Sequence, residues 1–511
     1  MPRTFSFGSV DLDVSVGRAA LREPPEPDEP FRIAILGDFS GRSNRGLLDA
    51  KLAGRRPLLV DRDNFEQTLA KLGLELRLPV RAGDGPQITI RFKELDDFRP
   101  DRIYERLELF QALRQTRHDL SDPSTFGRAA ATVRGPSQPE PPQVTRERIE
   151  RLPLGDLLEQ AIEETETRAP EGKPSPRLRD EWSALLHDIV APHLIPGAPP
   201  HQKELLAELD AATGSQMRSL LHHPAFQTLE AAWRGLSFLV RRLETGARLK
   251  LYLLDISKAE LAADLCATPD LRRSETYRLL VEESVGTLGA PRWSVLVGDY
   301  AFDATRDDLE LLRRLAGIAL ETGAPFLAAA GPHLLGCESL AETPDPVDWL
   351  RPLDPEVEQA WEAIRRLPEA VYIGLALPRF LLRLPYGKDT DPTEQFAFEE
   401  LPASPVHESY LWGNPALACV CLLGQAFSEY GWEFHPGVVR DIEGLPVHVY
   451  QEDGEPKLKP CAEVLLTERA AEVILDKGPM PLVSFAGRDT VRLVRFQSIA
   501  SPPAPLAGRW A

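Results

Sequence analysis

Residues Trp293–Phe302 read WSVLVGDYAF, a run that is almost wholly apolar. A strand with one face in water alternates apolar and polar side chains, so a run without alternation belongs to a strand buried on both faces of a helix-covered sheet. Its neighbours fit that setting. RLKLYLLDIS precedes it and PFLAAAG (Pro325–Gly331) follows, with the helical-period stretches SETYRLLVEESVGTLG and DDLELLRRLAGIALETG between them. Strands alternating with helices predict an α/β fold with parallel pairing. FRIAILGDFSGR (Phe31–Arg42) is a second apolar strand, and its phrase ILGDFSG echoes LVGDYAF. Each is an apolar strand ending in Gly-Asp-aromatic, which points to a shared strand-end turn but is too short to prove a repeat.

Proline divides the chain. It contributes 47 of 511 residues, about 9% against a usual ~5%. Residues 1–30 hold SVDLDVSV, with Val10, Leu12, Val14 and Val16 on one face, followed by the acidic tether REPPEPDEP. No hairpin partner is read for this strand, so it serves either as an edge strand of its own domain or as a strand donated to another chain. Residues 31–133 read as a small α/β domain. It has a helix over Asp61–Leu76 capped by Asp63 or Asn64, a strand Gln87–Phe92 and one amphipathic helix over Asp101–Leu120. A proline-rich linker follows at 134–150, centred on Arg134–Gln143. The remainder, 151–511, begins with a short helix Gly155–Arg168. Helices follow around Trp182–Val190, Lys203–Leu221 and His222–Glu244, the last keeping Phe226, Leu229, Trp233, Leu236 and Leu239 at helical spacing. The C-terminal part, around CAEVLLTERAAEVILDKGPMPLVSF and DTVRLVRFQ, reads as strand-rich. The fold class is therefore α/β: two mixed α/β units joined by a Pro-rich linker, with an N-terminal exchangeable strand.

The formal charge of −19 opposes binding to a phosphate backbone, which argues against nucleic acid as a partner. Five cysteines, scattered except for Cys419-x-Cys421, are not a disulfide framework. The N-terminus lacks the regions of a signal peptide, and no run approaches the length of a membrane span, so a cytoplasmic protein without membrane insertion is expected. Catalytic motifs are missing from the sequence: there is no phosphate loop, no GxGxxG after a strand, no GxSxG elbow and no HExxH. Asp38 and Asp299 stand where α/β enzymes keep a metal-binding or nucleophilic carboxylate, but an aspartate there also caps turns, and neither has a second acid, Lys or Ser in its own motif. His222-His223 before Pro224 reads as a helix start rather than a metal site, because adjacent positions do not share a helix face. Cys419 and Cys421 read as small buried residues. Arg379 and Arg383 could clamp an anion, but between apolar residues an interdomain ion pair is preferred. The expectation is no catalytic residue, no cofactor and no metal.

Two sets of phrases carry a family resemblance. FRIAILGDFSGR, RRPLLVDRDNFEQTL, ITIRFKELDDFRPDRI and the helix ending in LFQALRQ resemble, in order, the small subunit of the type VI secretion system contractile sheath. LLHHPAFQTLEAAWRGLSFLV, WSVLVGDYAFDATRDDLELLRRLAGIALETGAPFLAAAGPHLLG, LALPRFLLRLPYG, ESYLWGNPALA, AFSEYGW and EGLPVHVY are similar to the large sheath subunit. The resemblance implies a bacterial structural protein in which the two subunits are fused. It would polymerise around inner-tube hexamers on a baseplate, contract to drive the tube outward, and need no bound nucleotide. In the family, terminal strands pass between neighbouring protomers, which makes Val10, Leu12, Val14 and Val16 the assembly interface. Gly155–Arg168 matches the region engaged by a recycling AAA+ ATPase. Large subunits of the family continue past the point matching Arg495–Ser498, so a separate chain supplying that C-terminal region is a further expected partner. The alternatives are a non-polymerising sheath adaptor or cap, and a metal-dependent α/β hydrolase using Asp38 or Asp299.

Overall fold

A computed structural model describes residues 3–7, 10–14, 25–49, 52, 54–80, 87–134, 186–190, 202–284, 290–402, 405–452 and 454–510. The expected helix Gly155–Arg168, the linker 134–150 beyond Arg134, and Val16 lie outside them. The chain divides into two compact units, residues 1–100 with 220–511, and residues 101–219.

The larger unit is organised by one nine-stranded sheet. The strands, in chain order, are an N-terminal pair β1 (Arg3–Phe7) and β2 (Val10–Val14), then β3 (Phe31–Gly37), β4 (Leu58–Val60), β5 (Leu74–Pro79), β6 (Gln87–Phe92), β7 (Leu249–Asp255), β8 (Val295–Phe302), β9 (Phe326–Ala330), β10 (Ile373–Leu377), β11 (Phe380–Leu381), β12 (Trp412–Gly413), β13 (Asp441–Ile442), β14 (His448–Glu452), β15 (Glu455–Lys459), β16 (Met480–Ser484) and β17 (Val491–Leu493). The sheet order is β13-β17-β16-β10-β9-β8-β3-β7-β4. From β16 to β7 every neighbouring pair is parallel, and antiparallel strands finish both edges.

The apolar run that opens the sequence argument is β8, in the sheet interior, and helices cover both faces. Ala34 and Leu36 of β3 join a core with Leu309, Leu312 and Ile318 of the helix Arg306–Thr322. The alternate residues Ile33 and Ile35 point to the opposite face and are equally buried. The helix Pro415–Tyr430 packs on β3, β8, β9 and β10. Twelve of its residues are buried, so it reads apolar all round, as a helix enclosed between a sheet and other helices must. Gly235 of the helix Pro224–Arg242 faces it so closely that an added Cβ would stand 2.4 Å from Leu417 Cδ1.

The smaller unit contains the helices Glu108–Ser121 and Phe126–Arg134 and most of the helix Gln202–Leu221. A bidentate pair from Arg117 to Asp210, at 2.7 and 3.1 Å, ties the first to the third.

Several expectations are corrected. Residues 31–133 do not make a self-contained domain: β3 lies between β7 and β8, which come from the far side of the linker. The strand Val10–Val14 does have a hairpin partner, because β1 pairs with it antiparallel (Phe7↔Val10, Phe5↔Leu12, Arg3↔Val14). The helix expected over 61–76 runs only Phe65–Leu72, ended by Gly73 at φ 62°, after which the chain enters β5. Asn64 takes its N-cap position without a side-chain cap, its amide oxygen accepting from Asp61 N instead. The helix expected over Asp101–Leu120 is two, Pro100–Arg106 and Glu108–Ser121, broken where Leu107 turns extended. The C-terminal stretch holds the helix Glu468–Lys477, capped by Thr467, before β16.

Candidate assembly interface and strand-end carboxylates

In this sheet β3 connects toward β7 on one side while β8 and β9 continue on the other. The β3/β8 boundary is thus a topological switch point, where α/β proteins open a crevice beyond the carboxyl ends of their strands. Asp38 and Asp299 stand at that boundary. Gly37 is one register step past the pair Leu36↔Gly298, and a Cβ there would lie 3.2 Å from Asp299 Cβ. The two echoed phrases are therefore neighbours in the sheet.

Asp38 accepts from Arg42 N at 2.7 Å and Ser43 N at 2.8 Å, which makes it a turn cap. Asp299 is half-buried, and desolvation pushes its carboxyl up to about 6 although Asn414 donates to it. The Asn414 amide also reaches Tyr300 O at 3.1 Å, so the chain itself occupies this end of β8. Among the described residues no group of three or more His, Cys, Asp or Glu is placed to hold a metal ion.

Two acids that the sequence reading did not single out do more. Asp255, at the end of β7, accepts from Phe39 N, Ser40 N and Ser40 Oγ at 2.9, 3.1 and 2.7 Å. Burial, with Asp38 nearby, nevertheless raises its pKa. Glu260 is fully buried and sits in a capping box with Ser257. It accepts from Arg42 Nε at 2.9 Å, Asp49 N at 3.0 Å and Arg55 at 2.7 and 3.0 Å. Burial opposes its charge, but these bonds outweigh burial and hold it at about 2. One carboxylate thus pins the loop after β3 to the helix after β7. Ser257-x-x-Glu260 was a readable capping-box signal.

Trp233 makes the same connection through the core. Its Nε1 donates to Phe39 O at 2.7 Å, and Phe39 and Phe65 each meet its ring edge-on at 5.6 Å. Phe226 contacts Phe92 and Phe98 in the same way. Arg379 and Arg383 do not converge on one anion. Arg383 is buried between Glu230 (2.8 Å) and Glu400 (2.7 and 2.9 Å), whereas Arg379 pairs with Glu463 and Glu408. Both pairings stay within the larger unit, so the interdomain role expected of them is corrected. His223 caps its helix by accepting from Ala225 N. Cys419 and Cys421 are buried in the helix Pro415–Tyr430, which pushes each thiol up to about 12.

Surfaces for association lie elsewhere. The β1–β2 and β14–β15 hairpins each form a separate two-stranded sheet with free edges. In β14–β15, Val449 and Leu458 are directly opposed and are 55% and 38% exposed. The base of this hairpin is held firmly: His448 Nδ1 lies 2.8 Å from Tyr410 Oη, and Lys459 Nζ lies 3.0 Å from His407 Nδ1. The outer sheet strand β4 exposes Leu59. No helix among the described residues is long and apolar enough to cross a membrane.

Comparison with known proteins gives two family matches within this one chain. Residues 203–500 match the family described as VipB: EvpB/VC_A0108, tail sheath N-terminal domain. Residues 22–126 match the family described as Type VI secretion system, VipA, VC_A0107 or Hcp2. The chain is 36% identical over 306 residues to the type VI secretion system sheath protein TssC1 of Pseudomonas aeruginosa, an alignment covering 59% of this chain and 61% of that protein.

Proposed function

Because the chain belongs to the type VI secretion tail-sheath family, with a small-subunit and a large-subunit match in one polypeptide, we propose that it is a structural protomer of a contractile sheath. It polymerises around an inner tube in the bacterial cytoplasm and drives the tube out by contraction. The observation that carries this reading is the place of β3. A strand from the segment matching the small-subunit family lies between two strands from the segment matching the large one, and both Glu260 and Trp233 lock the segments together. That arrangement suits a building block that must transmit force as one body. The work is mechanical: the protomer acts through its contacts and carries no reaction of its own.

Val10, Leu12, Val14 and Val16 belong to the association surface in this reading. Since β2 is paired with β1, the element passed to a neighbour is a hairpin edge, and the free edge of β14–β15 is a matching acceptor for strand addition. Other protomers, inner-tube hexamers and a baseplate are the partners, and a recycling AAA+ ATPase would act at Gly155–Arg168.

Negative-stain microscopy of the purified protein, alone and with the inner-tube protein, tests the proposal. Rings or tubes are expected from the full chain, and folded, non-polymerising protein after deletion of residues 1–25. A full chain that forms neither polymers nor stable heteromers would sink the sheath reading, whereas unchanged assembly of the deletion would sink only the role of the N-terminal strand.

A further inference from the structure

At the amino-terminal ends of β3 and β8, away from the carboxylates, the Arg32 guanidinium lies between two aromatic rings, 4.6 Å from the Tyr252 centroid and 4.2 Å from that of Trp293. These residues line a cavity of about 460 Å³ together with Arg56, Glu283 and Ser284. Two hydrogen-bond donors there are buried and unused: Trp293 Nε1, on a residue only 2% exposed, and Arg32 Nε. Buried donors are nearly always paired, because leaving one without an acceptor forfeits its hydration. Three of the neighbouring groups are already committed. Arg32 Nη1 donates to Pro291 O, Ser284 Oγ to Leu280 O, and Glu283 is paired with Arg278. What these two donors lack is an acceptor, and with Arg32 and Arg56 in the cavity wall that acceptor is best an anion.

We propose that this cavity binds a carboxylate, presented on an acidic segment of a second copy of the chain. A carboxylate oxygen accepts from Arg32 Nε and Trp293 Nε1 together, a planar group meeting a planar fork, and the aromatic walls take the methylene stem that bears it. The molecule is rich in such groups at a formal charge of −19. Its acidic tether is the fitting donor: Glu29 is already held by Arg509 at 2.7 Å, whereas Glu26 and Asp28 are exposed. This inference does not depend on polymerisation and is testable on protein that fails to assemble.

Isothermal titration calorimetry of the full chain with a capped peptide of residues 21–30, with glutarate and with inorganic phosphate tests it. Peptide and glutarate are expected to bind, each weakened about tenfold by Trp293→Phe, which keeps the ring and removes the N–H, and likewise by Arg32→Lys, with thermal melting confirming both folds. Binding of glutarate without the peptide would keep the carboxylate site but assign it a free small acid, overturning the second-copy source. Phosphate binding as tightly as glutarate would overturn the carboxylate class. No binding, or binding indifferent to both substitutions, would overturn the site.

Discussion

Asp299 and Glu260 belong to the same strand-end region yet depart from the ordinary carboxylate range in opposite directions. Glu260, met by two arginines and two backbone amides, is held at about 2, whereas Asp299, half-buried beside a neutral amide, is raised to about 6. The sign of each contribution follows. A carboxyl raised from 3.8 to about 6 binds its proton more tightly in the folded state, so its ionisation costs stability as pH climbs through that window, in full above pH 6 and not at all below pH 3.8. Asp299→Asn keeps the shape and an acceptor for Asn414 and removes the ionisation. It should stabilise the protein by up to about 3 kcal/mol at pH 7.5, and the gain should vanish near pH 3.5. Urea unfolding at both pH values checks this, and an equal gain at both would rule out titration as the cause. The sequence marked Asp299 through its place within an apolar strand, where β8 in fact continues past it to Phe302. It could not mark the direction of the shift, because the desolvation that raises it arises only when elements distant in the chain, the helix Pro415–Tyr430 among them, pack against β8.

At the scale of elements, legibility followed locality. β8, β9 and the helix Arg306–Thr322 were readable because an apolar run, a Thr305 cap and a terminal Gly323 at φ 70° are local signals. The β1–β2 hairpin is also local, since Phe7 pairs with Val10 only three positions on. The alternation of Val10, Leu12 and Val14 shows the faces of β2 and not its partner, so the pairing is not legible from that pattern. The phrase LEAAWRGL was recognisable as a motif, but the reason for each letter emerges only from packing. Trp233 binds the β3 turn, and Gly235 lets the helix Pro415–Tyr430 approach. Gly235→Ala should therefore destabilise the protein by about 1–2 kcal/mol, the clash with the buried Leu417 outweighing the helix propensity that alanine adds. Leu417→Val, which shortens the obstructing side chain, should recover part of that loss. Denaturation of the single and double variants reads the coupling, and additive losses would show that the two helices are not in the tight contact described.

For the molecule as a whole, the sequence displayed two family-like segments and a linker, and the natural inference was two domains. Parallel pairing defeats that inference. Unlike a hairpin it needs no adjoining turn, so nothing near Phe31–Gly37 says that its partners lie beyond residue 240. The pairing is extensive, in register with β7 from Phe31↔Leu249 to Gly37↔Asp255 and with β8 from Ile33↔Val295 to Leu36↔Gly298. Removing the first segment would take out both β3 and β4, leaving β8 with an open edge and β7 without a partner on either side, a far heavier loss than trimming an edge strand. A chain cut within the 134–150 linker should accordingly behave as two obligate halves. Co-expressed, residues 1–150 and 151–511 should co-purify at equal stoichiometry and melt in one transition. Residues 151–511 alone should be insoluble or lack a cooperative transition, as judged by gel filtration and calorimetry. A soluble 151–511 fragment melting like the intact chain would mean that β3 is dispensable to the sheet and that the two segments do not fold as one body.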